Sequence, residues 1–136
     1  MKNCEIYEYG GKGYSKLFHH QNWRVAILNY IEELEPEKID FLEAHSQTDE
    51  VFVLLDGKCK LLFASAENGK LGKMDGVNLE KNKVYKIPAG VFHSHTLSKD
   101  ARVLIVEEEN TGYENSPRIY LDEGQKSQLV RTFAEV

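Results

Sequence analysis

Apolar and polar residues alternate with a period of two in short runs separated by turn residues, and the pattern recurs along most of the chain. A strand sends successive side chains to opposite faces, so this alternation predicts half-buried strands and leaves little room for helix. "WRVAILNYI" (23–31) places Trp23, Val25 and Ile27 on one face and Arg24, Ala26, Leu28 and Tyr30 on the other. "KIDFLEAH" (38–45) groups Phe41, Glu43 and His45. "EVFVLLDG" (50–57) ends in Asp-Gly and runs into "KCKLLFAS" (58–65), which predicts that these two strands pair as an antiparallel hairpin. "ENGKLGKMDG" (67–76) is rich in turn residues without an apolar period and reads as an exposed excursion. "KVYKIP", "FHSHTL" and "ARVLIVEEE" then resume the strand pattern. Short strands at regular spacing predict a sandwich or barrel rather than a βαβ fold.

Only the C-terminus has a helical period. "DEGQKSQLVRTF" (122–133) offers Asp122 as N-cap and Gln125 three residues on, a variant of the capping box. Leu129, Val130 and Phe133 form its expected buried face, making it a lid or packing element on an all-β body.

The bulk properties narrow the class. The 136 residues, 41% hydrophobic and 29% charged, match one globular domain spanning 1–136. A net charge of -5, with no run of Lys or Arg, argues against nucleic acid as a partner. The start "MKNCEIYEYG" has no apolar signal-peptide core, and no segment is long enough to span a bilayer, so a cytoplasmic protein without a membrane partner is expected. Cys4 and Cys59 form no C-x-x-C pair and read as inert thiols. "GGKG" (10–13) lacks the ending of a phosphate loop and reads as a turn. His19 and His20 are adjacent, so on a strand they could not chelate one ion, and a loop suffices for them. "EEE" at 107–109 reads as a solvated strand end.

Chemistry concentrates in three segments. Residues two apart on a strand share a face with Cα atoms about 6.5 to 7 Å apart, which pairs Glu43 with His45 and His93 with His95. Glu50 opens a further strand in phase with Phe52 and Leu54. If these strands face one cavity, two carboxylates and two or three imidazoles converge, and burying the charges costs several kcal/mol unless they are compensated. A divalent cation would compensate them, and mixed N/O donors suit Zn, Mn, Fe or Ni.

The order of these residues resembles a known family. "EAHSQTDEVFVLLDG" resembles the first cupin motif, G-x5-H-x-H-x(3,4)-E-x6-G: His45 stands at the second histidine, four residues precede Glu50, and six separate Glu50 from Gly57. "NKVYKIPAGVFHSH" resembles the second motif, G-x5-P-x-G-x2-H-x3-N, through Pro88, Gly90 and His93. The motifs cover about 37–57 and 82–97. Glu43 stands at the first histidine, Glu37 and Asn82 at motif glycines, and Leu97 at the final asparagine. Asn82 suits its position because Asn tolerates the left-handed conformation.

The resemblance implies an antiparallel jelly-roll β-barrel with one divalent transition metal (Zn, Mn, Fe or Ni) on His45, Glu50 and His93, with Glu43 as a substituted ligand. His95 lies outside the family's ligand set and is left to bind a ligand or to act as general acid or base. Phe41, Phe52 and Tyr85 are expected to line the barrel, with pocket contact as a secondary role. Arg24 and Tyr30 could read an anionic or hydroxylated ligand. Cupins often dimerise, so a homodimer is expected, with "MKNCEIYEYG" available as an exchanged arm.

Three functions remain open. One is a metal-dependent enzyme on a small polar metabolite (a sugar, sugar phosphate or organic acid), with isomerase-like or oxygenase-like chemistry. Another is a metal-free sugar isomerase or epimerase using His45 and His93 as acid and base. The third is a small-molecule binding or sensing module without turnover.

Overall fold

A computed structural model describes residues 3–136, so Met1 and Lys2 of the expected dimer arm lie outside the described residues. Ten strands follow in chain order: β1 Tyr14–His20, β2 Trp23–Asn29, β3 Phe41–Glu43, β4 Glu50–Asp56, β5 Cys59–Glu67, β6 Lys70–Asn78, β7 Tyr85–Ile87, β8 Phe92–Leu97, β9 Arg102–Glu108 and β10 Arg118–Tyr120. Helix α1, Glu123–Glu135, ends the chain. The strands form two five-stranded sheets in the orders β1-β2-β9-β4-β7 and β10-β3-β8-β5-β6, with every pair antiparallel. This is the expected jelly-roll. No helix among the described residues is long and apolar enough to cross a membrane.

The alternation read from the sequence becomes the core. Ala26 and Leu28 of β2, Phe52 and Leu54 of β4, Leu61 of β5 and Val103 and Ile105 of β9 meet between the sheets. The second sheet is also covered outside, where Leu62, Ala64 and Met74 pack under Leu129 and Phe133 of α1. A strand buried on both faces needs a continuous apolar run, which accounts for "LLFA" in β5. The Asp122 side chain accepts from the Gln125 amide and the Gln125 side chain accepts from the Asp122 amide, the predicted capping box. At the far end Lys60 Nζ donates to the Phe133 carbonyl at 2.8 Å. The helix is thus a packing element on an outer face. Val130 is exposed rather than buried, because i and i+4, Leu129 and Phe133, take the stripe facing the sheet.

Two sequence readings are corrected. β4 and β5 do not pair: β4 lies between β7 and β9 in the first sheet, and β5 between β6 and β8 in the second. The Asp-Gly dipeptide turns the chain from one sheet to the other. Gly57 has φ +71, and a Cβ there would lie 2.6 Å from the Ala101 Cα. The true hairpin is β5–β6, within the segment read as an excursion, and it turns on Asn68 and Gly69, both at positive φ (54 and 75) as a type I′ turn requires. Its second strand is an edge carrying Lys70, Lys73 and Asp75, charges that blunt an open edge and hide the apolar period.

Smaller adjustments follow. β2 stops at Asn29, because the Asn29 amide group donates to the Tyr9 and Gly11 carbonyls and the chain turns beyond it. His19 and His20 belong to β1 rather than to a loop, opposite Arg24 and Trp23. Asn82 adopts φ 70, as its place in the motif requires.

Gly57→Ala is expected to cost more stability than Gly69→Ala. Both force an L side chain into the left-handed region at about 1–2 kcal/mol, but only Gly57 also meets backbone, Gly69 having open space. Urea unfolding of the two variants checks this. Equal losses would contradict the close corner between the sheets.

Candidate metal centre

Three segments bring ionisable groups together in the space between the sheets. His45 follows β3, Glu50 opens β4, and His93 lies on β8. Glu50 Oε1 is 3.0 Å from His45 Nε2 and 2.9 Å from His93 Nε2. One donor atom from each of the three residues lies within 4.8 Å of the others. All three residues are buried.

The outer nitrogens are fixed as well. His93 Nδ1 donates to the Val91 carbonyl at 3.0 Å, and His45 Nδ1 meets Ser116 Oγ at 2.8 Å. Since a carbonyl only accepts, the Nδ1 of His93 carries a proton, and a neutral His93 therefore turns the lone pair of Nε2 toward Glu50. Burial alone would raise the Glu50 pKa, but the hydrogen bonds and positive charge of His45 and of a charged His93 outweigh that effect and lower it. The carboxylate is ionised at neutral pH. Two electron-rich atoms at 2.9 Å repel unless the imidazole takes a second proton or a cation lies among the donors. Burial also opposes charge on His45, yet Glu50, Glu107 and Glu43 together raise its pKa.

The residues present fit a divalent ion. Two imidazoles and a carboxylate are a common N/O donor set, and orienting each ring through its other nitrogen is how metal-bound histidines are held. Phe52, two residues along from Glu50, is fully buried with its ring 6.3 Å from that of His93 and 5.8 Å from that of His95, and so forms the floor.

The expected fourth ligand is placed elsewhere. Glu43 stands opposite Arg118 on one side and His93 on the other, and its Oε2 accepts from Arg118 Nε at 3.0 Å. The guanidinium lies 4.1 Å from the Phe41 ring centroid and 4.6 Å from that of Tyr113. Glu43 lines the cavity but is outside the group of three, as is Glu107.

Glu107, read as solvated, is instead buried in the site: this corrects the reading of "EEE" as a solvated end. Its Oε2 accepts from Tyr14 Oη and Arg24 Nη2, both at 2.9 Å, and its Oε1 lies 3.8 Å from His45 Nε2. Strand phase could have found it, because Val103, Ile105 and Glu107 share one face of β9. Glu108 and Glu109 are half-buried, and Glu109 pairs with Lys16 and His19 at the rim.

The centre opens into a cavity of about 470 Å³. Of the residues expected to contact a ligand, Phe41 and Arg24 line it, together with His95. Phe52 lies beneath it. Tyr85 and Tyr30 are not brought to it: Tyr85 packs at the core and its hydroxyl accepts from the Glu80 amide, while the Tyr30 hydroxyl donates to Glu35. Sequence reasoning did not single out Tyr14, Thr111, Tyr113, Ser116 or Arg118, which line it, Tyr14 from the start of β1 and the others from the 111–118 stretch.

No family model matches the sequence, and no curated protein does. Solved structures do. A cupin-2 domain protein from Shewanella frigidimarina superposes with a TM-score of 0.53 at 16% identity, over 74% of this chain and 85% of its own. The fold is that of the cupins. A hydroquinone 1,2-dioxygenase solved with Cd2+ and 4-hydroxybenzonitrile gives a TM-score of 0.53 at 16% identity, over 74% of this cupin-like chain and 67% of its own. A 3,4-ketoisomerase from Thermoanaerobacterium thermosaccharolyticum, solved as a double mutant with TDP, gives 0.53 at 14% identity, over 82% and 73%.

His95 provides a pH test of this cupin barrel. Burial of its ring lowers its pKa from 6.5 to about 4. Above pH 6.5 neither the folded nor the unfolded form is protonated there. Below it the unfolded chain takes up a proton that the folded one refuses, so stability falls as pH drops from 6.5 to about 4, by on the order of 3 kcal/mol. His45, with a raised pKa, works in the opposite direction. In metal-chelated buffer, His95→Gln is expected to flatten the fall over that window in urea titrations. Parallel profiles for the variant and the parent would contradict it.

Proposed function

We propose that this protein is a metal-dependent cupin enzyme acting on a small oxygen-rich metabolite such as a sugar derivative or an organic acid. The observation that carries the reading is the arrangement of His45 and His93: both are oriented through their outer nitrogens, and both turn Nε2 onto one ionised oxygen of Glu50. That geometry suits a cation held by His45, Glu50 and His93 better than it suits two neutral rings. When bound, a divalent ion supplies Lewis acidity to a carbonyl or hydroxyl oxygen of the substrate.

The chain's own residues define the rest. The cavity, about 470 Å³, has room for a single-ring metabolite. Leu28, Ile31, Leu34 and Ile39 give it an apolar wall. Thr111 and Tyr113 offer hydroxyls to a polyoxygenated ligand, and Thr111 Oγ1 has no partner of its own. His95 is neutral at pH 7, and its buried Nδ1 has no hydrogen-bond partner, so it is left to hydrogen-bond a ligand. The Cd2+-bound dioxygenase and the TDP-bound ketoisomerase support the same range of chemistry on this fold.

One observation favours a second reading. A doubly protonated His93 between Val91 and Glu50 would close the network without an ion, leaving His45 and His93 as an acid–base pair. Metal content separates the two. Untagged protein from metal-replete growth is expected to hold about one equivalent of a transition metal, lost in both His93→Ala and Glu50→Ala. Wild type that is empty and takes up no Zn2+, Mn2+, Fe2+ or Ni2+ contradicts the metal-dependent reading. Tight binding without turnover across an aldose, ketose and keto-acid panel would point to a binding module instead.

A further inference from the structure

The buried carboxylates near the centre are Glu50 and Glu107, whereas the motif position offers Glu43. Glu43 is engaged. Its Oε2 holds Arg118, whose guanidinium is fixed over Phe41 and Tyr113, and the backbone register sets Glu43 directly opposite Arg118. Drawing Glu43 to an ion would leave a half-buried guanidinium without its carboxylate.

Glu107 is in the reverse position. Its side chain is 3% exposed, and Tyr14 and Arg24 both bind Oε2, which fixes the plane of the carboxylate. Oε1 is buried and has no hydrogen-bond partner. A buried carboxylate oxygen without a donor is costly, and a nitrogen turned toward Glu50, His45 Nε2 at 3.8 Å, is poorly placed to satisfy it. A cation beside both carboxylates would give the free oxygen a partner.

We infer that Glu107 of β9, rather than Glu43 of β3, supplies the second carboxylate of the metal centre, so that His45, His93, Glu50 and Glu107 make up its protein environment. A divalent ion with two carboxylates and two neutral imidazoles sums to zero charge. The Arg24 charge that fixes Glu107 is shared with Glu109, 3.7 Å away. The role thus moves from a strand of the second sheet to a strand of the first. Arg118 and Glu43 are left as a fixed pair on the cavity wall, free to shape which ligands enter.

The inference rests on the metal-dependent reading, and Co2+ tests it with a readout that needs no substrate. Glu107→Gln is expected to weaken Co2+ binding by about 10- to 100-fold and to change the visible absorption of the bound ion. Glu43→Gln is expected to change affinity by less than about 3-fold and to leave the spectrum as it was. If the Gln variant does not fold, as judged by thermal unfolding of the metal-free protein, Glu107→Asp keeps the charge but draws the oxygen back, and should still shift the spectrum and weaken binding several-fold. Wild type that binds Co2+ while both Glu107 variants match it overturns this inference alone, as does a Glu43→Gln loss equal to that of Glu107→Gln. Wild type that binds no Co2+ overturns the metal-dependent reading and this inference together.

Discussion

Glu50 Oε1 ties the molecule together. It sits on the first sheet and receives His45 and His93 from the second, so one oxygen joins the two layers at the open end of the barrel. An ionised carboxylate at 5% exposure is unstable by itself. The structure around it answers that cost: two imidazoles converge on it, Val91 and Ser116 orient the rings, and Phe52 closes the floor. Breaking such a network by removing one member exposes the full cost of the remaining charge.

The apolar part of the fold makes this polar end possible. The cluster between the sheets, Ala26, Leu28, Phe52, Leu54, Leu61, Val103 and Ile105 among others, holds the layers at a fixed separation. The second cluster fastens α1 to the outside through Leu129 and Phe133. With the helix on an outer face, the cavity mouth is bordered instead by the 31–40 segment and by residues 111–118. The cavity wall is therefore shared between connections, which bring Thr111, Tyr113 and Ser116, and barrel strands, which bring Tyr14, Arg24 and His95.

The fold class and the cluster of His45, Glu50 and His93 were legible in the sequence because both leave a local pattern. Period-two alternation gave the strands, and the resemblance to the cupin motifs, through the intervals from His45 to Glu50 and from Gly90 to His93, pointed to the three side chains that meet. The C-terminal helix was legible through Asp122 and Gln125, since capping is decided within one turn. Pairing was less so. An Asp-Gly between two apolar runs is equally compatible with a hairpin and with a corner between sheets, and only the approach of Ala101 to Gly57 selects the corner. The exchange between Glu43 and Glu107 was hidden for a similar reason. Glu43 is removed by Arg118, 75 residues later, and Glu107 is buried by Tyr14 and Arg24 from the far end of the chain. Long-range partners of this kind leave no local pattern.

X-ray absorption of the Zn2+-loaded protein tests the central claim most directly, since it reports the donors around the ion. The account predicts the multiple scattering of two imidazoles, with nitrogen and oxygen donors at about 2.0–2.2 Å and no sulfur. A spectrum with no imidazole scattering, or with a sulfur shell from Cys4 or Cys59, would contradict it.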